Sequence, residues 1–320
     1  MKVLITGATG FIGSALFDFL SSFSRFQVQG TSRRQENNEK HISCIKNVGD
    51  IGPYTNWNSA LRGIDLVIHT AGRAHVMKDS AVDPLLEFRE ANFYGTLTLA
   101  RKAAEAGVKR FIFISTTKVN GEETKDGLPF TEEMKANPLD PYAVSKHEAE
   151  IGLQKIANVS GMEVVIIRPP LVYGPGVKAN FLSMMCLIDK GLPLPLGSIH
   201  NRRSFVYLDN LLSFIKTCID SPKAANQVFF VSDNEDLSTT ELLRRLSKYL
   251  NKKTFLIPVS QKLVESGLSL AGKKDIGQKL CGNLQVDISK ARTMLDWTPM
   301  VSINEGLEKT AIFYQSCRPL

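Results

Sequence analysis

Cysteine is sparse in this chain and follows no pattern. The five cysteines (Cys44, Cys186, Cys218, Cys281 and Cys317) are scattered over 320 residues without a CxxC pair. Their odd number and irregular spacing argue against a disulfide framework and against a zinc site, so no metal ligands are assigned and a reducing, cytoplasmic setting is expected. No apolar run approaches the ~20 residues of a membrane-spanning helix. The opening residues MKVLITG enter a strand pattern at once, without the charged region, apolar stretch and small-residue cleavage site of a signal peptide, and no membrane partner is expected. Tryptophan is rare, and Trp57 and Trp297 read as packing groups. Long runs of one charge are also missing. The formal charge is +7, but basic residues are dispersed apart from short clusters such as Arg33-Arg34, Lys252-Lys253 and Lys273-Lys274. That distribution argues against nucleic acid as the main partner and favours small anions such as phosphorylated ligands.

From residue 2 to about 170, short β-branched runs alternate with longer segments of helical period: KVLIT then GSALFDFLSSF, IDLVIHTA then EANFYGTLTLARKAAEAG, RFIFIST then DPYAVSKHEAEIGLQKIANVS, and MEVVIIRP. Runs of four or five apolar residues between turn residues suit strands buried on both faces. The alternation predicts an α/β fold, a Rossmann-type doubly wound parallel sheet over residues 1–170. Beyond Pro169-Pro170, the Gly/Pro-rich passages PPLVYGPGVKANF and GLPLPLGS read as irregular structure around one helix. The remainder, 171–320, is expected to form a smaller, mostly helical substrate lobe. Within it, about 204–232 carries a helix, LDNLLSFIKTCID, and a strand, QVFFVS, that return to the first domain.

GATGFIG follows the first strand and opens a helix, which places Gly7, Gly10 and Gly13 at the first strand-to-helix turn. A dinucleotide needs a tight turn, a backbone that can approach its pyrophosphate, and a helix N-terminus facing that charge. Thr9, Phe11 and Ile12 in the same loop are expected to line the cofactor. Some twenty residues later, many dinucleotide-binding chains place an acid for the adenosine ribose. Here VQGTSRRQ offers Ser32, Arg33 and Arg34 and no carboxylate. A serine and two arginines suit a 2′-phosphate, which favours NADP over NAD, although arginines are also common in solvated loops. Asp50, in VGDI, is a candidate for the adenine edge together with Ile51; a turn aspartate explains it nearly as well.

PYAVSK places Tyr142 and Lys146 on one face of a predicted helix, where an ammonium can favour the phenolate of a tyrosine acid/base. RFIFISTTKVNG supplies Ser115 and Thr116 at the end of a strand, beyond the carboxyl edge where doubly wound sheets hold ligands. In this order, GATGFIG, HTAGRA, ANFYGT, STTKVNG, PYAVSK and RPPLVYGPG resemble the extended short-chain dehydrogenase/reductases, a family of nucleotide-sugar epimerases, dehydratases and reductases. The resemblance spans essentially the whole chain.

It implies that Tyr142 is the acid/base, that Lys146 holds the nicotinamide ribose and tunes Tyr142, and that Thr116 completes the triad. Thr70, Ala71, Gly72 and Pro169 fall in its cofactor-lining turns, and Asn92 matches its structural asparagine. Thr117, Lys118, Asn180, Phe181, Arg203 and Asp287 fall on or beside its substrate positions. Family 4,6-dehydratases carry Asp-Glu after the catalytic threonine, where this chain has Thr117-Lys118, so dehydration is not expected. Val119-Asn120-Gly121 in place of V-Y-G, together with Lys118, resembles UDP-4-keto-6-deoxy-N-acetylhexosamine reductases, a group hard to separate from UDP-glucose 4-epimerases. The expected activity is NADPH-dependent reduction at C4 of a UDP-sugar, with 4-epimerisation on bound NAD as the alternative and non-catalytic nucleotide sensing as a remote one. The family commonly pairs through two helices of the cofactor domain, which implies a homodimer. His69 is expected to be packed. His75 faces either the substrate or solvent.

Overall fold

The structure is a computed structural model that describes residues 1–34, 44–74 and 83–317. Its first half alternates as the sequence pattern requires: β1 (Lys2–Thr6), α1 (Phe11–Ser21), β2 (Gln27–Ser32), β3 (Ile45–Asn47), β4 (Leu66–His69), α2 (Pro84–Arg89), α3 (Thr96–Glu105), β5 (Arg110–Ile114), α4 (Pro141–Ser160) and β6 (Glu163–Arg168). There follow β7 (Leu171–Tyr173), α5 (Ala179–Asp189), β8 (Arg203–Tyr207), α6 (Leu208–Asp220), β9 (Val228–Phe230), β10 (Asp236–Leu237), α7 (Thr239–Tyr249), α8 (Gln261–Leu270), α9 (Lys274–Cys281), α10 (Ser289–Leu295) and α11 (Ile303–Ser316).

Seven strands form one parallel sheet in the order β3-β2-β1-β4-β5-β6-β9. This is the expected doubly wound Rossmann-type fold. Its strands are apolar on both faces because both faces are covered. Successive residues alternate between them: Val3, Ile5, Ile112 and Ile114 join the cluster with α1 and α6, whereas Leu4, Phe111 and Phe113 join the cluster with α3 and α4. The strand order reverses between β1 and β4, so the loops leaving those two strands diverge and open a crevice at the carboxyl edge.

Two features depart from the sequence pattern. The segment expected to be one helix from Glu90 onward begins with a π-helical turn, Glu90–Gly95, between α2 and α3. The Gly/Pro-rich passage contains α5 and also β7, which pairs parallel with β8, while β10 pairs antiparallel with β8. β7 and β10, three and two residues long, have no readable period. Around them, Tyr173, Phe181, Leu242, Leu246 and Leu307 form a separate core. Trp57 and Trp297 are buried, and the Trp297 ring meets Phe214 edge-on at 4.9 Å.

Candidate active site

The glycine loop is shaped by what side chains would hit. Gly7 has φ +70°, and a Cβ there would lie 2.9 Å from the Ala71 backbone; at Gly13 a Cβ would lie 2.0 Å from the Gly7 carbonyl oxygen. Gly10 caps α1, and its N–H donates to the Gly7 carbonyl at 2.9 Å. The loop therefore runs flat against the turn after β4 and presents the start of α1, which suits a pyrophosphate. Thr9 and Gly10 are exposed, and Phe11 and Ile12 are half-buried. This cradle fits the dinucleotide inferred from the sequence.

The turn after β4 is clamped by Asn92. Its amide accepts from the Arg73 N–H at 2.8 Å and donates to the Arg73 carbonyl and to Ser145 Oγ, both at 3.0 Å. Asn92 sits in the π turn, whose extra residue redirects its side chain, a frequent use of such turns. Thr70 Oγ1 donates to the Thr6 carbonyl at 2.7 Å, so Thr70, Ala71 and Gly72 are held over β1. His69 is packed: its ring nitrogens meet Thr6 Oγ1 at 2.6 Å and Thr96 Oγ1 at 2.9 Å. Burial, with the Lys146 charge, pulls His69 down to about 3, which keeps it neutral. His75 lies outside the described residues.

Among the described residues, the contacts at the end of β2 are local. Ser32 is buried and donates to the Arg34 carbonyl at 2.5 Å, while the exposed Arg33 guanidinium lies 3.8 Å from the exposed Asp50 carboxylate. Arg34 is exposed and Ile51 half-buried. Gly95 lets that loop close in, since a Cβ there would lie 2.6 Å from Ile51 Cγ2.

The catalytic candidates come from β5 and α4. Thr116 has extended backbone, caps the single turn Thr117–Val119, and accepts the Lys118 N–H at 3.3 Å. The Thr117 N–H donates to the Pro169 carbonyl at 3.1 Å, fixing this segment against the end of β6. Asp140 caps α4 by accepting the Ala143 N–H at 2.6 Å, and Pro141 occupies the first helical position, a helix-start pattern visible in the sequence. Tyr142 follows, half-buried, with the Phe88 ring edge-on at 6.0 Å. Burial first, then the Asp140 charge, holds its phenol above the ordinary range. Lys146, one turn on, is 3% exposed; its Nζ donates to the Ile114 carbonyl at 2.8 Å and lies 4.3 Å above the Phe113 ring. Burial pulls it down to about 7, against the opposing charge of Glu150.

Next to Thr116 and Lys146 in the chain, Ser115 and Glu150 belong to a buried network that the sequence does not announce. Glu150 accepts from Ser115 Oγ at 2.5 Å and from Arg168 Nη2 at 2.5 Å, and Arg168 Nη1 donates to Asn120 Oδ1 at 2.8 Å. Asn120, the residue that departs from V-Y-G, thus completes a chain joining α4, β6 and the end of β5. The Glu150 spacing from Lys146 was its one sequence signal.

The substrate candidates divide. Asn180 is exposed at the start of α5, next to Ala179, whose φ of 52° is costly for alanine. Phe181 is fully buried and stacks on Tyr173 at 5.3 Å, which leaves only its backbone for a ligand. Arg203 is half-buried and donates to the Gly282 carbonyl at 2.9 Å; burial draws it down to about 10, with Glu123 opposing. Asp287 accepts the Ser289 N–H at 2.7 Å in a local turn. Lys118 is bound by Asp140 and by Glu122, the latter at 3.3 Å.

Residues 3–231 match the model of the NAD dependent epimerase/dehydratase family. The chain belongs to that family. It is 49% identical over 311 residues to the UDP-glucose 4-epimerase of Vibrio cholerae, covering 97% of this chain and 94% of that one. Among solved structures, the UDP-glucuronic acid 4-epimerase of Bacillus cereus in complex with NAD superposes with TM-score 0.80 at 23% identity, over 99% of each chain. RMD from Pseudomonas aeruginosa, complexed with NADPH, superposes with TM-score 0.76 at 22% identity, over 98% of this chain and 100% of that chain. The chain is thus an NAD(P)-dependent enzyme of the extended short-chain dehydrogenase/reductase family. Among the described residues, no helix is long and apolar enough to cross a membrane.

Proposed function

We propose that this enzyme is a UDP-hexose 4-epimerase working on a retained NAD. The observation that carries the reading is the 49% identity to a UDP-glucose 4-epimerase over 97% of the chain. The sequence alone favoured the NADPH-dependent reductase, and the relative turns the preference towards its alternative.

When bound, the nicotinamide supplies the acceptor and donor of the C4 hydride. The protein supplies the rest. Gly7, Gly10 and Gly13 admit the pyrophosphate to the start of α1, and the Asn92 clamp holds the Ala71–Gly72 turn beside it. Thr116 Oγ1 holds the C4 oxygen. Tyr142 takes the proton of the C4 hydroxyl as the ketone forms and returns it when the alcohol re-forms on the other face. Lys146, in its ammonium form, opposes the burial and the Asp140 charge that hold the Tyr142 phenol up, and so helps the phenolate to form as the proton is taken. Arg203 and Asn180 contact the diphosphate. Thr117 and Lys118 supply no free acid or base pair, which disfavours dehydration.

A second reading, NADPH-dependent reduction of a UDP-4-keto-6-deoxy-N-acetylhexosamine, is favoured by the absence of a carboxylate after β2. Against it, Ser32 is turned to the Arg34 carbonyl and Arg33 towards Asp50. The test is to release and identify the cofactor of the purified protein, then incubate it with UDP-glucose and UDP-N-acetylglucosamine. Tightly held NAD and reversible conversion without net NAD(P)H consumption are expected. Stoichiometric NADPH oxidation by a UDP-4-keto sugar, with no epimerisation, would establish the reductase instead.

We divide the chain at residues 1–170 and 171–320, with 204–232 rejoining the cofactor domain, supported by β9 pairing with β6. We place the enzyme in the cytoplasm, the setting that its five scattered, unpatterned cysteines suit. We further propose a homodimer through α3 and α4, beside which the π turn exposes Tyr94 and on which α4 exposes Ile151 and Val159. Light scattering checks the mass, and a monomer at micromolar concentration would refute the pairing.

A further inference from the structure

We propose that Lys118 and Asp140 are positioning residues whose ion pair braces the segment carrying Thr116 against the start of the helix carrying Tyr142. The inference rests on the assignment of Thr116 and Tyr142 to the reacting oxygen. Lys118 stands two residues after Thr116, in the turn that Thr116 caps, and Asp140 stands two residues before Tyr142. The Asp140 carboxylate is divided between two tasks. Oδ1 accepts the Ala143 N–H at 2.6 Å and sets the start of α4, while Oδ2 accepts from Lys118 Nζ. Glu122 Oε1 takes a second ammonium proton at 3.3 Å.

This places a charged link between segments 22 residues apart. Side-chain exposures of 31% for Lys118 and 28% for Asp140 shield it partly from water, so screening is weaker than for a surface pair. Burial opposes the Lys118 charge, but the hydrogen bond and charge of Asp140, with those of Glu122, outweigh it and hold the ammonium above its ordinary value. The lysine is therefore fully charged across the working pH range. A hydroxyl and a phenol that must meet one substrate oxygen depend on the distance between their carriers, and small misplacements cost rate more than binding. Two of the three ammonium protons of Lys118 go to carboxylates of its own chain, which orients the lysine towards the brace.

The test is a double-mutant cycle on Lys118→Met and Asp140→Asn, with Lys118→Arg as the conservative variant and Tyr142→Phe as the control. Asp140→Asn keeps an oxygen to cap α4 and removes the charge. Retained cofactor and thermal unfolding establish that each variant is folded, and Lys118→Gln replaces Lys118→Met if the latter does not accumulate. Each single change should lower kcat about tenfold or more with KM within about twofold, and the double variant should match the worse single one. Lys118→Arg should restore most of kcat. Multiplying losses, an inert Asp140→Asn, or a Lys118→Met that raises KM at unchanged kcat would each overturn the brace. Full turnover by Tyr142→Phe would instead overturn the site assignment on which it rests.

Discussion

Replacing Lys146 with methionine should abolish turnover and make the cofactor-free protein more stable at neutral pH. Lys146 is 3% exposed, and burial lowers it from 10.5 to about 7. At pH 7, such a shift means that folding carries a penalty of roughly 4 kcal/mol from this ammonium. The lost hydrogen bond to the Ile114 carbonyl and the contact with Phe113 return about 1–2 kcal/mol each. The net gain is therefore of order 1 kcal/mol, or a few degrees in Tm for a chain of this size.

The sign follows from proton counting. The folded value lies below the unfolded one, so between about pH 7 and 10.5 the unfolded chain binds more protons, and wild-type stability rises with pH through that window. Below about pH 7 the penalty is complete. The advantage of Lys146→Met should thus be largest near pH 6–7 and fade towards pH 10. Thermal unfolding of both proteins, stripped of cofactor and scanned over that range, reads it directly. A variant less stable than wild type at pH 7, by an amount that does not change with pH, would refute the reasoning.

Gly13→Ala sets a Cβ 2.0 Å from the Gly7 carbonyl oxygen, so the purified variant should carry no measurable cofactor, by chromatography of the denatured supernatant. Replacing Arg33 and Arg34 together with alanine should leave the ratio of NADH to NADPH affinity unchanged; a selective fall of about tenfold for NADPH would favour the reductase. Asp233 accepts from Asn210 Nδ2 and the Tyr207 N–H at 2.8 Å and from Tyr173 Oη at 2.9 Å, and burial pushes it up to about 6. Asp233→Ala strands these donors and should cost roughly 3 kcal/mol or more in denaturant unfolding at pH 7, with a smaller loss for Asp233→Asn.

The sheet and nucleotide loop were legible because their signals are local. Four- and five-residue apolar runs, a glycine trio and a tyrosine four residues before a lysine each declare themselves within one turn or strand. The π turn around Asn92 was not legible, since one inserted residue leaves the apolar pattern of a helix intact. Nor were β7, β8 and β10 read as a sheet, because β7 and β10 are only three and two residues long and nothing local in RSFVY names them as its partners. Long-range polar partners were the larger omission. Asp140-Pro141 announces a helix start, but nothing local says that the other carboxylate oxygen takes Lys118. Arg168 links Glu150 to Asn120 across the fold. VQGTSRRQ carries no acid for an adenosine ribose, which favours NADP in the sequence; in the fold Ser32 donates to the Arg34 carbonyl and the exposed Arg33 lies 3.8 Å from Asp50, contacts that no local pattern announces.

The central claim is that one active site removes hydrogen from C4 and returns it to the opposite face without releasing the cofactor. UDP-glucose deuterated at C4, incubated with the enzyme in the presence of a large excess of free unlabelled NADH, tests it most directly. The account predicts UDP-galactose that retains its deuterium at C4 by mass spectrometry and NMR. Deuterium lost to the free NADH pool, or no galactose epimer at all, would contradict it.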